Sequence, residues 1–233
     1  MTTNVLILGS KPPPKIPKID FQEIFSSNGS AELAKIYNLN FKSIEHTCII
    51  GAKSFSKLNH IKSRVIDAEP DNIVIRDYEK VYSNISNVFK KDLKITKFTK
   101  TQQILFQRKF FKNGIINLFF AETNYEKKLL NKIKHILRGF FLNGFMGVST
   151  GFFAILYAAH KYPHSNLILS GLGFEGGEHY YNEGKMTSNR GNVDRYLFKF
   201  LNAQVKNRIY IFDNEISKKL NVKNLEAEQI ILR

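Results

Sequence analysis

The sequence predicts an α/β fold in which helices cover a mostly parallel, doubly wound sheet of about seven strands. Short apolar runs recur along the chain, and helical or polar segments separate them, as in successive βαβ units. Several runs end in glycine, serine or asparagine, which is typical of strands that end at a ligand-binding edge. The chain has 233 residues, of which 43% are hydrophobic and 24% charged, enough for one sizeable core. We therefore expect residues 1–233 to form a single domain of Rossmann-like type.

The individual elements follow from the hydrophobic pattern. The strand candidates cover residues 5–8, 23–27, 47–50, 72–75, 115–120, 167–170 and 208–212. Segments 31–37, 152–160 and 192–203 carry apolar residues at helical spacing and predict helices. The proline run at 11–17 cannot be helical and should be extended. Segment 81–112 mixes basic residues, Phe and Gln without a clean period, which fits a small lid or cap over a site and equally a pair of surface helices.

The chain is strongly basic. Its net charge of +15 and pI near 9.7 imply attraction to polyanions such as nucleic acid, anionic lipid headgroups, or phosphorylated or acidic saccharides. Part of this charge lies in segment 126–138, where the apolar residues at helical spacing are Leu129, Leu130, Ile133, Ile136 and Leu137. We favour a surface helix with a solvated basic face, and peripheral contact with an anionic membrane surface is the alternative.

The cysteine usage and the N-terminal sequence predict a cytoplasmic protein. Cys48 is the single cysteine and lies in an apolar run, which predicts a buried, inert thiol in a reducing compartment. The start of the sequence has neither a basic region nor a long apolar region, which argues against a secretory signal. The uncharged stretch 140–159 has the length of a membrane span, but its polar first half favours a loop followed by a buried helix.

Two of the predicted strands end in small polar residues that could face a nucleotide. The first strand ends in Gly9 and Ser10, where a glycine lets a phosphate or ribose approach the backbone. The strand at 23–27 runs into Asn28, which can bond a base or ribose, and Gly29, whose amide can face an anion. Helix capping explains the second motif equally well. The first of these motifs is not the dinucleotide-binding pattern GxGxxG, and the P-loop pattern GxxxxGK[ST] is missing from the sequence.

Two later segments add further candidates. Ser149, Thr150 and Gly151 precede an apolar helix, whose first amides and two hydroxyl groups would face the edge of the sheet. The strand at 167–170 ends in Ser170 and Gly171. A glycine-rich loop then follows, and its candidate functional residues are Glu175, Glu178, His179, Tyr180 and Tyr181. Histidine can act as a general base near neutral pH, and tyrosine hydroxyls can donate to a leaving phosphate.

The sequence predicts no metal site. No histidines or cysteines have the spacing of metal ligands. The nearest carboxylate pair, Asp67 and Glu69, lies beside a proline and fits a surface turn.

Taken in chain order, these segments resemble the bacterial sialyltransferase-like enzymes that use CMP-activated 2-keto sugar acids. In that family a first strand ends in a Gly/Ser loop, and a second ends in a turn that contains Asn. A Ser/Thr-Gly turn opens a buried helix, and a later strand ends in Ser-Gly before an aromatic loop. The matching segments here are 9–10, 27–30, 149–151 and 170–174. The resemblance covers most of the chain, although each motif is short.

The resemblance implies a metal-independent, inverting glycosyltransferase that needs no cofactor besides its CMP-sugar donor. It implies that CMP binds at the carboxyl edge of the sheet, with Gly9, Ser10 and Asn28 at the nucleotide. Residues 149–151 would then lie near the ribose or phosphate.

The catalytic base is where this sequence departs from the family. The family's base is a histidine in a flexible loop before a final helix. The corresponding stretch here, 186–194, has no histidine. Our candidate base is His179, a few residues earlier; the alternatives are a carboxylate, Glu175 or Asp194, or a different chemistry.

The remaining expected roles fall in the flexible loop 175–191. Tyr180 and Tyr181 are the nearest candidates to steady the leaving phosphate, as the family's tyrosines do. Arg190 is placed to bind a sugar carboxylate or a phosphate, since a guanidinium binds either in bidentate fashion. A donor of the sialic acid or Kdo type carries such a carboxylate.

The expected acceptor is a surface glycan or glycolipid, as in lipopolysaccharide or capsule synthesis, and no specific nucleic acid is expected as a partner. The alternative is a basic α/β protein that binds nucleic acid or modifies nucleotides, with which the charge and the 13% aromatic content are compatible. Against it, the sequence has no RNP-like, zinc-finger or helix-turn-helix signature. A non-catalytic scaffold would leave His179 and Arg190 without a role.

Overall fold

The computed structural model describes residues 3–11, 15–41, 43–89, 93–121, 129–140, 147–174, 190–211, 214–225 and 229–231. The strands are β1 (Asn4–Leu8), β2 (Lys15–Pro17), β3 (Glu23–Ser27), β4 (Glu45–Gly51), β5 (Asn72–Arg76), β6 (Lys94–Lys97), β7 (Asn166–Ser170), β8 (Ile209–Ile211), β9 (Lys223–Asn224) and β10 (Gln229–Ile231). The helices are α1 (Ala31–Asn40), α2 (Ala52–Lys57), α3 (Asn59–Asp67), α4 (Lys100–Gln107), α5 (Ile115–Ala121), α6 (Leu129–Phe140), α7 (Thr150–Lys161), α8 (Arg190–Lys199), α9 (Ala203–Lys206) and α10 (Asn214–Leu220). Short 3-10 helices cover Asn28–Ser30, Lys80–Val88 and Arg108–Phe110.

Within these residues, eight strands form one parallel sheet in the order β6-β5-β4-β3-β1-β7-β8-β9. From β1 the chain adds β3, β4, β5 and β6 on one side, and it then returns to add β7, β8 and β9 on the other. This reversal beside β1 makes the sheet doubly wound and Rossmann-like, as the sequence predicts. The two other strands, β2 and β10, pair with each other in antiparallel fashion.

Helices cover both faces of the sheet because the central strands are apolar on both faces. Along β1, Val5 and Ile7 pack in the same cluster as the side chains of α7. The alternate residues Leu6 and Leu8 pack in a second cluster with Leu33 of α1. Successive side chains of a strand point to opposite faces, so one apolar strand contributes to two core layers. The carboxyl ends of the central strands are thereby held at one edge.

Most of the predicted elements are confirmed. The predicted helices at 31–37 and 152–160 lie in α1 and α7. The prediction for 192–203 corresponds to α8, which ends at Lys199. Beyond that helix, Leu201 makes an isolated antiparallel bridge with Phe111.

The predicted strand at 115–120 is wrong, because Ile115–Ala121 forms α5. Leu118 and Ala121 are buried while Ile116 and Phe120 are exposed, which is the spacing of a helix with one covered face. A short apolar run fits a buried strand and a buried helix equally well, and its periodicity alone does not decide.

Segment 81–112, predicted as a lid or cap, contributes to the body of the fold. Its β6 is the edge strand of the sheet, paired with β5, and was not predicted as a strand. Its α4 places Phe106 against Phe153 of α7, with ring centroids 5.3 Å apart. The lid role stays a prediction.

Two of the smaller predictions concern burial. Cys48 is fully buried, as expected, and burial raises the pKa of its thiol to about 12. The second half of the uncharged stretch 140–159 forms the buried helix α7, as predicted. Among the described helices, none is both long enough and apolar enough to cross a membrane.

Candidate functional site

The loops that follow β1 and β7 contact each other at the point where the strand order of the sheet reverses. The amide of Gly9 donates to the Ser170 carbonyl at 2.8 Å, and the amide of Lys11 donates to the Gly171 carbonyl at 2.8 Å. A Cβ atom on Gly9 would lie 2.2 Å from the carbonyl oxygen of Gly171. The fold itself therefore requires glycine at position 9, so that the two backbones can approach.

The turn after β3 is joined to the ends of β1 and β4. Ser30 Oγ donates to the Leu8 carbonyl at 2.8 Å. Asn28 has a φ of +50°, and its Oδ1 accepts a hydrogen bond from the Gly51 amide at 3.1 Å. The side-chain NH₂ of Asn28 therefore remains as the group that could reach a ligand. Gly29, the next predicted site residue, is buried in this turn.

The N-terminus of α7 lies at the same edge of the sheet. Ser149 caps the helix, because its Oγ accepts a hydrogen bond from the Phe152 amide at 3.1 Å. A Cβ atom on Gly151 would lie 3.7 Å from Ser27 Oγ, and one on Gly51 would lie 3.7 Å from Thr150 Oγ1. The helix start thus lies directly beside the turn after β3.

The first amides of α7 differ in their hydrogen bonding. The amide of Ser149 donates to Asp194 Oδ1 of α8 at 2.8 Å. The amides of Thr150 and Gly151 have no acceptor within the part of the chain that the structure describes. These two amides carry the partial positive charge of the helix N-terminus, so they are the ones available to an anion.

The structure adds a buried arginine that the sequence reasoning missed. Arg76 ends β5 and is 3% exposed. Its guanidinium donates to the Val148 carbonyl at 2.7 Å and to Gln103 Oε1 at 3.2 Å. It also lies over the ring of Phe153, 4.8 Å from the centroid. Arg76 therefore fixes the segment that leads into α7, and its signal in the sequence was a cation directly after an apolar strand.

Gln107 supports the same segment from α4 and was also not predicted. It is fully buried, and its Oε1 accepts a hydrogen bond from the Val148 amide at 3.0 Å. A Cβ atom on Gly147 would lie 2.3 Å from that oxygen, which explains the glycine there, at a φ of +60°. The Nε2 group of Gln107 has no hydrogen-bond partner among the described residues.

The structure brings all nine predicted nucleotide-binding residues to one edge of the sheet. Those that lie there are Gly9, Ser10, Asn28, Gly29, Ser149, Thr150, Gly151, Ser170 and Gly171. Ser170 serves the fold directly, because its Oγ donates to the Lys15 carbonyl at 2.6 Å.

The predicted catalytic side chains all lie outside the part of the chain that the structure describes. His179, Tyr180 and Tyr181 fall in 175–189, which is not among the described ranges. Arg190 is the first residue of α8, and only its backbone is described.

The carboxylate pair considered for a metal site, Asp67 and Glu69, lies at the end of α3 and in the turn after it. The Asp67 carbonyl accepts a hydrogen bond from Lys35 Nζ at 2.5 Å, and Glu69 has a φ of +47° in the turn after α3. In the described ranges, no three His, Cys, Asp or Glu side chains form a group that could hold a metal ion.

Comparisons with protein-family models, curated proteins and solved structures give no match to this chain.

Proposed function

We propose that this chain is a glycosyltransferase that moves a 2-keto sugar acid from a CMP-activated donor to a glycan acceptor. One observation carries the proposal. Four separate motifs that resemble the CMP-binding motifs of sialyltransferase-like enzymes lie together at the carboxyl edge of a doubly wound sheet. They lie near β1 and β7, between which the strand order reverses. That edge is where open α/β sheets bind their ligands.

The proposed nucleotide site combines two helix amides without acceptors in the described residues and the residues that surround them. The amides of Thr150 and Gly151 would bind the phosphate of CMP, and the Thr150 hydroxyl, which lies beside Gly51, would join them. Gly9 and Ser10 would line the nucleotide, and the NH₂ group of Asn28 would donate to its ribose or base. Ser149 is a helix cap and would act only by holding the helix start.

The proposed reaction is a direct displacement with inversion. The acceptor hydroxyl loses its proton to the base and attacks C2 of the sugar acid, while the bond from C2 to the phosphate oxygen breaks and CMP leaves. His179 is the proposed base, Tyr180 and Tyr181 would donate to the leaving phosphate, and Arg190 would bind the sugar carboxylate. Because Asp194 already accepts from the Ser149 amide, we propose it as a positioning residue for α7 and not as the base.

A thermal-shift panel of nucleotides at fixed salt tests the nucleotide class. A ligand at about 100 times its Kd stabilises the folded state by about 2.7 kcal/mol, which raises the Tm of a chain of this size by about 5–10 °C. We expect CMP or CDP to raise the Tm more than AMP, GMP or UMP. Stabilisation by an RNA oligonucleotide and by none of the nucleotides would instead favour a nucleic-acid-binding protein.

The base is tested with a His179→Ala variant. Transfer from CMP-sialic acid or CMP-Kdo should be lost while the CMP-induced rise in Tm is retained. Unchanged turnover would eliminate His179, and Glu175→Gln is then the next variant to measure.

A further inference from the structure

Helix α6 exposes the side that a surface helix normally buries. Leu129 and Leu130 are each 73% exposed, and Leu137 is 53% exposed. By contrast, Asn131 and Lys132 on the same helix are half-buried. A surface helix with a solvated basic face, which the sequence favoured, would pack these leucines inward.

Helix α5, which contacts α6, also exposes apolar side chains. Ile116 is 56% exposed and Phe120 is 42% exposed, and they lie one helical turn apart. We call these residues, together with those of α6, the α5–α6 apolar face; its members are Ile116, Phe120, Leu129, Leu130, Ile133 and Leu137. Large apolar side chains on a monomer surface are normally scattered singly, and a cluster of them marks a contact surface.

The charges around this face indicate what contacts it. At 100° per residue, Lys132 and Lys134 lie on opposite flanks of the stripe formed by Leu129, Ile133 and Leu137. The sequence of α6 contains no acidic residue, and the whole chain carries +15. Lysines beside an apolar stripe can extend towards lipid headgroups while the stripe enters the boundary between headgroups and acyl chains. A second copy docking on this face would bring its lysines against these, and like charges oppose that arrangement.

We propose that the α5–α6 apolar face is a docking surface for a membrane that contains anionic lipids. Helix α6 has 12 residues, about 18 Å at 1.5 Å per residue, and would lie in the plane of the interface. Anionic headgroups attract the flanking lysines, and the apolar side chains supply the contact that salt does not screen. The inference goes beyond the proposed activity and does not depend on it.

Vesicle co-sedimentation of the full chain tests the surface. We expect binding to phosphatidylcholine vesicles that contain phosphatidylglycerol, and weaker binding to phosphatidylcholine alone. The double variant Leu129→Gln/Leu130→Gln should bind the anionic vesicles at least about tenfold more weakly. The matched control is Leu39→Gln on α1, because Leu39 is 74% exposed and α1 packs in the core layer opposite that of α5. This variant should bind like the original chain.

Three results would overturn the proposal: no binding to anionic vesicles, undiminished binding by the double variant, or a dimer in light scattering that the double variant abolishes while vesicles are not bound. The CMP thermal shift of the double variant separates this test from that of the activity. An unchanged shift with lost vesicle binding supports the surface, and a missing CMP shift in the original chain counts only against the transferase.

Discussion

The amino and carboxyl edges of the parallel sheet differ in how far their polar groups are paired within the chain. At the amino edge, the fully buried carboxylate of Glu23 accepts hydrogen bonds from Thr47 Oγ1 at 2.5 Å and from the Tyr162 hydroxyl at 2.6 Å. It also pairs with Lys161 Nζ at 2.5 Å. At the carboxyl edge, the amides of residues 150 and 151 have no acceptor in the described segments. One edge is closed by its own side chains and the other keeps donors available.

This difference separates polar residues that serve the fold from those that can serve a ligand. Burial raises the pKa of Tyr162, and the Glu23 carboxylate raises it further. Burial alone would lower the pKa of Lys161, but its pairing with Glu23 and Glu45 together outweighs burial and raises the pKa. The raised pKa values keep both the Tyr162 hydroxyl and the Lys161 ammonium group protonated. A site for changing ligands needs groups that are not already satisfied in this way.

The largest expected effect is a loss of stability when the amino edge loses the Glu23 carboxylate. A Glu23→Ala variant leaves the Thr47 and Tyr162 hydroxyls without their acceptor, while Lys161 keeps its exposed pair with Glu45. The free energy of unfolding should fall by about 2–4 kcal/mol, the cost of two unsatisfied hydroxyl groups. Urea denaturation measures the loss. The matched control is Glu45→Ala, because Glu45 also pairs with Lys161, at 3.3 Å, but its side chain is 47% exposed. That surface pair should contribute less than about 1 kcal/mol, and equal losses in the two variants would contradict the comparison.

The second expected effect is a pH dependence of stability that arises from the buried His46 on β4. His46 on β4 is 2% exposed, and its Nε2 lies 2.7 Å from Ser26 Oγ. Burial lowers the pKa of this imidazole to about 3, from 6.5 in the unfolded chain. Folding therefore favours the neutral ring. The stability that this ring contributes is fully present above pH 6.5, and it is lost as the pH falls from 6.5 towards 3.

Urea denaturation at several pH values measures this effect. As the pH falls below about 6.5, the free energy of unfolding should decrease by up to about 1.4 kcal/mol per pH unit from this group alone. A His46→Gln variant should show a shallower decrease over the same range, since the carboxylates titrate alike in both proteins. Parallel curves for the two proteins would show that His46 is not held neutral by the fold.

The smallest expected effect concerns the open edge. Thr150→Val keeps the shape of the side chain and removes one hydroxyl, so its free energy of unfolding should change by less than about 0.5 kcal/mol. Calorimetric titration should show CMP binding about 2- to 10-fold more weakly, the value of one hydrogen bond. Thr96→Val on the edge strand β6 is the control and should leave CMP affinity unchanged. Equal affinities in both variants would remove the Thr150 hydroxyl from the proposed site.

The parts of the fold that the sequence predicts are those with a strong local pattern. The central strands are apolar on both faces, as in Val5, Leu6 and Ile7, and turn residues bound them closely. The edge strand β6, Lys-Ile-Thr-Lys, has too few apolar residues to stand out. Run 115–120 misled the prediction because five apolar residues around one asparagine can form either a strand or a helix.

The candidate site is predictable only in part, for a physical reason. The positions of Gly9, Asn28 and Gly151 follow from where strands end and helices begin, which is local information. The bond from Ser149 to Asp194 joins residues 45 positions apart, and Arg76 meets Val148 across 72 positions. Such partners depend on the packing of α4, α7 and α8 on the sheet, which no local pattern encodes.

Hydrogen exchange with and without CMP tests the central claim most directly, because it reports which edge of the sheet holds the nucleotide. We expect CMP to slow exchange at the amides of residues 150 and 151 and in the turn 28–30, while residues 45–47 and 162–165 at the amino edge exchange as before. Protection confined to the amino edge, or none at 150 and 151 at saturating CMP, would contradict the proposal that the open carboxyl edge is the nucleotide site.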